Sequence, residues 1–163
     1  MAERKNSVRR ISVWILEDHQ VYRATLRKLV EGQAWVERVQ DFDTGESLMK
    51  ALKEDSPPDI LLIDLGLPGI TGIEALHRLK RVSPATRALV LTVHDDEDKI
   101  FEAIRAGADG YLLKASSPQD LLKSLQELRD GGSPITAGVA RKVLTAFAEM
   151  RKPAADYGLT ERE

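Results

Sequence analysis

One stretch decides the fold of this chain: Asp59-Ile60-Leu61-Leu62-Ile63-Asp64-Leu65-Gly66-Leu67-Pro68-Gly69. Its four consecutive apolar residues, 60–63, have the length and β-branched character of a strand that is buried on both faces. The strand runs straight into Asp64, and Leu-Pro-Gly then ends it. Open α/β sheets place their chemistry at the carboxyl ends of central strands, which is the position that this pattern predicts for Asp64. Taken alone, the carboxylate is equally explained as the cap of the next turn.

The composition describes a globular protein of one domain with an appendage. Of the 163 residues, 42% are hydrophobic and 31% are charged, and the net charge of −2 offers no global basic field for nucleic acid. The chain has no cysteine, which excludes disulfides, thiolate metal sites and cysteine nucleophiles. Its apolar runs are far shorter than the ~18 residues of a membrane span, and its basic start does not form a signal peptide. We therefore expect a cytoplasmic protein with no membrane contact.

Strand-like and helical patterns alternate along the chain. Strands are predicted at residues 11–16, 35–42, 60–63, 87–92 and 110–113. A helical pattern follows each strand, and a further amphipathic segment follows Pro134. The alternation indicates βαβ units with right-handed crossovers, and hence an α/β fold. Five such units favour a flavodoxin-like parallel sheet of order 2-1-3-4-5 with five helices, plus a C-terminal linker helix.

The same patterns divide the chain into parts. Residues 1–9 are predicted to form a flexible basic tail, residues 10–131 the α/β domain and residues 132–150 the linker helix. The apolar stripe of the linker helix allows it to pack on the domain, to extend away from it or to pair with a second chain.

Four predicted strands end in side chains suited to phosphoryl transfer: Glu17 with Asp18, then Asp64, Thr92 and Lys114. Neighbouring carboxylates repel one another and need a cation, and Mg²⁺ prefers such oxygen ligands. The metal would neutralise charge during transfer while Asp64 attacks as an oxygen nucleophile to give an aspartyl phosphate. Lys114 would supply a positive charge and Thr92 a hydrogen bond to the phosphoryl oxygens. Singly, Glu17-Asp18 is better explained as a helix cap and Lys114 as a solvated lysine, and Thr92 alone indicates almost nothing. The hypothesis therefore rests on their joint arrangement.

Together these motifs resemble the receiver domain of a bacterial two-component response regulator. They are the acid pair Glu17-Asp18, the D-x-x-L-P-G-x-x-G run from Asp64 to Gly72, the strand end Leu91-Thr92 and the segment Gly110-Tyr111-Leu112-Leu113-Lys114. They follow the family's order and approximate spacing over roughly residues 10–131. The resemblance implies that a sensor histidine kinase phosphorylates Asp64. It also implies that Mg²⁺ is held by Glu17, Asp18, Asp64 and the backbone carbonyl of Gly66.

The resemblance further implies a switch. Thr92 and Lys114 would contact the phosphoryl group. Tyr111 matches the family's switch aromatic, which turns inward as the Thr92 hydroxyl moves to the phosphate; it is also explained as a half-buried strand tyrosine, and both can hold. The output would be a changed surface on the fourth helix, fifth strand and fifth helix. The domain would catalyse its own phosphorylation and dephosphorylation and would not be a turnover enzyme with a separate substrate.

The end of the chain is similar to the opening of the helix-turn-helix domain in NarL/FixJ (LuxR-type) regulators. The residues concerned are Leu159-Thr160-Glu161-Arg162-Glu163. We expect residues 151–163 to hold a linker and the first residues of a truncated LuxR-type domain, with the rest of the DNA-binding domain missing. DNA would then be bound only through that missing domain, and altered homodimerisation is one expected readout of phosphorylation.

Three positions near the predicted site bear on its geometry or on the lifetime of a phosphoryl group. Ala115 follows Lys114 where many receivers have proline, which leaves the geometry of this peptide bond open. Gly66 and His94 occupy positions that tune autodephosphorylation in the family. Glycine has no side chain to orient an attacking water, so we expect a phosphoryl group that is not unusually short-lived. We expect His94 to be a loop residue and not a base.

Two other functions stay open. A receiver-like interaction module that works without phosphorylation would have the same fold, although this chain retains every residue of the acid set. An Asp-nucleophile phosphatase of the haloacid-dehalogenase type would have an acid two residues after its nucleophile, where this chain has Gly66. It would also carry a cap insertion for a substrate, and none is obvious in this sequence.

Overall fold

The computed structural model describes residues 9–151, which form a five-stranded sheet between two layers of helices. The strands are β1 (Ile11–Leu16), β2 (Val36–Phe42), β3 (Ile60–Ile63), β4 (Arg87–Thr92) and β5 (Gly110–Leu113). The helices are α1 (Gln20–Glu31), α2 (Gly45–Glu54), α3 (Gly72–Val82), α4 (Glu97–Ala106), α5 (Pro118–Arg129) and α6 (Ala137–Met150). None of these helices is long and apolar enough to cross a membrane. The predicted tail, apart from residue 9, and the end segment beyond residue 151 lie outside the described residues.

The order of the strands confirms the predicted fold class. Neighbouring strands pair in parallel in the order β2-β1-β3-β4-β5, so the domain is α/β and flavodoxin-like, with five helices and a C-terminal linker helix. This order places β1, β3 and β4 side by side. Their carboxyl ends therefore share one edge of the sheet, which is where the topology of open α/β folds places ligands.

The central strand β3 is covered by helices on both faces. Each of its four residues is at most 1% exposed. Leu61 and Ile63 belong to a core cluster with residues of α2, α3 and α4, whereas Ile60 and Leu62 belong to a second cluster with α1 and α5. A run of consecutive apolar residues suits a strand in this environment, because both faces are removed from water. The buried strand thus carries Asp64 to the carboxyl edge of the sheet.

Side chains and glycine set the helix ends. Thr44 caps α2 and Ser117 caps α5, each by accepting a hydrogen bond from a backbone N–H of the first turn. His19 caps α1, because its Nδ1 accepts a hydrogen bond from the Tyr22 N–H at 3.2 Å. Gly107 ends α4 with a φ of +106°, in the left-handed region that favours glycine. The cap at His19 starts α1 directly beside the acids that follow β1.

Gly72 permits a close approach between α3 and the end of β3. A Cβ atom at this position would lie 2.1 Å from the carbonyl oxygen of Asp64 and 2.6 Å from the Cα of Leu65. Because glycine has no Cβ, the first turn of α3 can lie directly against the peptide that follows Asp64. The last glycine of the D-x-x-L-P-G-x-x-G run therefore positions the backbone of the site.

The linker helix begins at Ala137 and not at the predicted residue 132. The chain before it runs beside β5, where the Tyr111 N–H donates to the Pro134 carbonyl oxygen at 3.0 Å and the Thr136 N–H donates to the Tyr111 carbonyl oxygen at 3.1 Å. Because these backbone groups are paired with Tyr111, residues 134–136 run beside β5 and the helix starts only at Ala137. The strand predicted at 35–42 likewise begins one residue later, at Val36.

Helix α6 packs on the α/β domain. Val139 is 1% exposed and lies in the same core cluster as Ile100 of α4, with Val143 packed against that cluster. The ammonium of Lys142 forms an ion pair with the Asp95 carboxylate at 3.4 Å, in the loop that follows β4. The apolar stripe allowed the helix to pack on the domain, to extend away from it or to pair with a second chain, and the structure shows the first of these placements. The domain boundaries at residues 10–131 and 132–150 otherwise stay predictions.

Candidate functional site

Three carboxylates meet at the carboxyl edge of the sheet. Glu17 and Asp18 follow β1, and Asp64 follows the neighbouring β3, where its N–H donates to the Leu16 carbonyl oxygen at 3.0 Å. One carboxylate oxygen from each acid lies within 4.8 Å of the other two. Glu17 and Asp64 are buried, whereas Asp18 is open to solvent. The structure thus brings together the three acids that the sequence suggested as a metal site.

The ammonium of Lys114 lies among these acids. Its Nζ is 2.8 Å from Asp64 Oδ2 and 3.0 Å from Glu17 Oε2. The Lys114 N–H donates to the Thr92 carbonyl oxygen at 2.8 Å, which anchors the residue where β4 and β5 end. The peptide bond to Ala115 is trans, since residues 9–151 contain no cis bond. One cation therefore faces two buried carboxylates, so that neither is left without a counter-charge.

Burial and ion pairing shift the two buried acids in opposite directions. Burial raises the pKa of Glu17, and the charge of Asp64 adds to the rise, so that the contact with Lys114 does not offset it. Burial alone would also raise the pKa of Asp64, but hydrogen bonds from Lys114 and from the Gly66 N–H outweigh burial and lower it. Burial acts to lower the pKa of Lys114, yet its two carboxylate partners raise it. The carboxyl group of Asp64 is therefore ionised at neutral pH.

Thr92 and Gly66 lie at the ends of β4 and β3. Thr92 is fully buried, and its Oγ1 accepts a hydrogen bond from the His94 N–H at 3.3 Å. The Gly66 N–H donates to Asp64 Oδ1 at 3.2 Å. A Cβ at Gly66 would lie 3.5 Å from Nε2 of His94, so the imidazole lies beside the glycine, in the loop after β4. The contact of Thr92 with a phosphoryl group and that of the Gly66 carbonyl with a metal stay predictions.

The side chain of Tyr111 points into the domain. It is 2% exposed, and its hydroxyl donates to the His94 carbonyl oxygen at 2.6 Å. Burial raises the pKa of its phenol, and the charges of Asp96 and Asp95 add to the rise. Tyr111 is therefore a buried strand tyrosine and not a half-buried one as predicted, and its placement equally suits the inward position of a switch aromatic. The switching role itself stays a prediction.

Three residues of α1 and its cap border the site, although none of them was predicted as a site residue. The ring centroid of Tyr22 lies 4.6 Å from Nζ of Lys114. Arg23 donates to the Glu17 carbonyl oxygen at 2.8 Å and also pairs with an acid of β2. The His19 N–H donates to Glu17 Oε1 at 3.2 Å. Their position in the sequence could have identified them, because the first turn of a helix that follows a strand lies at the carboxyl end of that strand.

The acids open into a depression of about 610 Å³. Its lining residues are Glu17, Asp18, His19, Gln20, Tyr22, Asp64 and Lys114. The three carboxylates are hard oxygen ligands, which fits Mg²⁺ and not the softer metals that prefer nitrogen or sulfur. Glu17, Asp18 and Asp64 are therefore the residues that would hold the ion.

Residues 13–126 match the family described as the response regulator receiver domain. This chain belongs to the response regulator receiver domain family. The receiver is 34% identical over 120 residues to the nitrate/nitrite response regulator protein NarL of Escherichia coli (strain K12), covering 74% of this chain and 55% of NarL. It is 30% identical over 141 residues to the transcriptional regulatory protein DegU of Brevibacillus brevis, covering 86% of this chain and 59% of DegU.

A solved structure agrees with these relatives. The crystal structure of a LuxR-family two-component response regulator from Aurantimonas sp. SI85-9A1 superposes on the receiver with a TM-score of 0.78 at 27% identity, covering 85% of this chain and 99% of that chain. The comparisons place the receiver with regulators of the NarL and LuxR type, as the sequence predicted. The matched region spans 55% of NarL and 59% of DegU, less than two thirds of either protein.

Proposed function

We propose that this receiver takes a phosphoryl group from a sensor histidine kinase onto Asp64 and thereby switches a transcriptional output. Phosphorylation-driven switching is the general function of its family. The observation that supports Asp64 as the acceptor is the convergence around it, with two further carboxylates in one cluster and Nζ of Lys114 at 2.8 Å. Receiver domains are signalling modules, so the chemistry serves the switch and not the turnover of a separate substrate.

The chemistry is a single phosphoryl transfer. A carboxylate oxygen of Asp64 forms a bond to phosphorus while the bond from phosphorus to the imidazole nitrogen of the donor breaks, and that nitrogen keeps the electron pair. The lowered pKa of Asp64 keeps the attacking carboxylate ionised. Lys114, already in contact with Asp64, donates to an oxygen of the incoming group. When bound by Glu17, Asp18 and Asp64, Mg²⁺ neutralises the charge that builds up during transfer.

The signal would leave the site through β4 and β5. The Thr92 hydroxyl, which accepts from the His94 N–H, would turn to donate to the phosphoryl group and release that contact. The Tyr111 hydroxyl holds the carbonyl oxygen of the same His94, so it follows the position of the loop after β4. The bias between two loop conformations would then change the surface of α4, β5 and α5.

The output is proposed to be transcriptional because the relatives NarL and DegU are named as a response regulator and a transcriptional regulator. DNA contact would come from a C-terminal helix-turn-helix domain and not from residues 9–151. The net charge of −2 gives the chain no basic field of its own. Changed homodimerisation is the second proposed readout of the switch.

Intact-mass analysis tests the acceptor. The chain is incubated with a small acyl-phosphate donor, with and without Mg²⁺, as wild type, as Asp64→Asn and as Asp98→Asn, an exposed acid of α4 that serves as the matched control. We expect one added phosphoryl group on the wild type and on Asp98→Asn, only with Mg²⁺, and none on Asp64→Asn. An adduct on Asp64→Asn would show that Asp64 is not the phosphoryl acceptor. No adduct on folded wild type would favour the interaction module that works without phosphorylation.

A further inference from the structure

The ammonium of Lys114 has three close neighbours of two chemical kinds. Two are the carboxylates of Asp64, at 2.8 Å, and Glu17, at 3.0 Å. The third is the aromatic ring of Tyr22, whose centroid lies 4.6 Å from Nζ. This distance is within the range of about 6 Å over which a cation is attracted to the face of an aromatic ring. Of these three neighbours, Tyr22 is the one that carries no charge.

The two carboxylate partners are the groups that the proposed function alters. Glu17 and Asp64 would coordinate Mg²⁺, and Asp64 would become an acyl phosphate, so the attraction of each carboxylate to Lys114 weakens during the reaction. A lysine side chain is long and flexible, and it loses roughly 2 kcal/mol of rotamer freedom when it is fixed. The ring of Tyr22 is changed by neither event. It can therefore keep the ammonium in place when the carboxylates are engaged elsewhere.

The backbone of Tyr22 is anchored at the start of α1. It lies in the first turn of α1, where its N–H donates to Nδ1 of His19 at 3.2 Å, and His19 in turn donates from its N–H to Glu17 Oε1 at 3.2 Å. The side chain is half-buried and lines the same depression as Lys114 and the acids. The ring also packs against the core cluster that includes residues of α1 and α5. It therefore loses less freedom on contact with Lys114 than a fully exposed aromatic side chain would.

We propose that Tyr22 is a positioning residue that holds the ammonium of Lys114 against the phosphoryl site through the reaction. The inference rests on the proposed function, since it assigns a step in phosphoryl transfer to Asp64. The ring face, and not the hydroxyl, performs the role. Phenylalanine at this position should therefore keep the rate of phosphorylation, whereas an aliphatic side chain of similar size should lower it.

Kinetics of phosphorylation test the role. The rate of Asp64 phosphorylation from a small acyl-phosphate donor at saturating Mg²⁺ should fall about 3- to 10-fold in Tyr22→Leu. It should stay within about 2-fold of wild type in Tyr22→Phe, which keeps the ring. Mg²⁺ affinity, measured in the same variants, should not change, because the ring contacts the cation and not the acids. Tyr22→Met provides a second ring-free variant if Tyr22→Leu does not fold.

The dependence on Lys114 separates positioning from a merely structural effect. In a Lys114→Ala background the change Tyr22→Leu should have no further effect on the rate, because the side chain through which Tyr22 acts is gone. An equal loss in both backgrounds would overturn the proposal. So would a Tyr22→Leu variant that phosphorylates at the wild-type rate.

NMR provides a readout that needs no phosphorylation. The ε-methylene protons of Lys114 should show a ring-current shift in the wild type and in Tyr22→Phe, and the shift should disappear in Tyr22→Leu. Absence of the shift in the wild type would reject the contact between ring and ammonium. A wild-type chain that shows the shift but takes no phosphoryl group would reject the proposed function instead, so the two failures are distinguishable.

Discussion

The hydroxyl of Tyr111 donates a hydrogen bond to the backbone carbonyl oxygen of His94 at 2.6 Å. The backbone of the same tyrosine pairs with Pro134 and Thr136, immediately before α6 begins. One residue of β5 therefore contacts the loop after β4 with its side chain and the start of the linker helix with its main chain. Any movement of that loop on phosphorylation has a direct structural route to α6.

Replacing Tyr111 by phenylalanine tests this link. The change Tyr111→Phe leaves the His94 carbonyl oxygen without its donor and should lower the free energy of unfolding by about 1 kcal/mol. Urea denaturation measures the difference. The control is Tyr22→Phe, which removes a hydroxyl that takes no part in the contact. Equal stability of Tyr111→Phe and wild type would show that the hydrogen bond contributes nothing to the fold.

The raised pKa of Glu17 predicts a pH-dependent gain in stability on neutralising this side chain. In the folded state the pKa lies above its ordinary value of 4.5, so the folded chain binds this proton more tightly than the unfolded chain does. The stabilising contribution of the group is thus present below the unfolded pKa and is lost as the pH rises through the folded pKa. Glu17→Gln should therefore be more stable than wild type at neutral pH, with a smaller difference in acid.

Urea denaturation at pH 7 and at about pH 4 measures this difference. The control Glu31→Gln, at an exposed residue of α1, should change the free energy of unfolding by less than about 0.5 kcal/mol. A gain for Glu17→Gln that grows as the pH falls would contradict the direction assigned to this carboxyl group. The same variant should bind Mg²⁺ more weakly, because it loses one carboxylate ligand.

Two glycines in helices should respond to alanine in opposite ways. Gly72→Ala places a Cβ at 2.1 Å from the Asp64 carbonyl oxygen, a backbone atom that cannot easily move, and should destabilise the chain by about 3 kcal/mol or more. Gly138→Ala meets no atom within 4 Å and should stabilise α6 by up to about 1 kcal/mol. Thermal unfolding of both variants checks the pair. A mild effect at Gly72 would mean that α3 does not pack tightly against the end of β3.

The two faces of α6 should differ in their contribution to stability. Val139 is 1% exposed, and Val139→Ala should lower the free energy of unfolding by roughly 2 kcal/mol through lost burial and a small cavity. Leu144 is 68% exposed, and Leu144→Ala should change it by less than about 0.5 kcal/mol. Chemical denaturation compares the two variants. Similar small effects for both would indicate that α6 unfolds separately from the α/β domain.

The fold and the members of the site were predictable because their signals are local or follow from strand order. The four apolar residues before Asp64 predicted a strand covered on both faces, and both faces are covered. Strand order then placed Glu17, Asp64 and Lys114 at one edge of the sheet. Their chemical roles are not encoded in this way, since a carboxylate at a strand end has the same sequence pattern whether it caps a turn or accepts a phosphoryl group.

The amino-acid sequence by itself determined the α/β fold, the strand order and the group of side chains at the carboxyl edge, because hydrophobic period and chain connectivity leave few alternatives. Only the tertiary structure decided where α6 packs, since an apolar stripe suits any apolar partner. It also decided where α6 starts, because the backbones of Pro134 and Thr136 form hydrogen bonds with Tyr111. It also placed the ring of Tyr22 over Lys114. Such contacts join distant elements, and their geometry depends on how side chains meet in the packed chain.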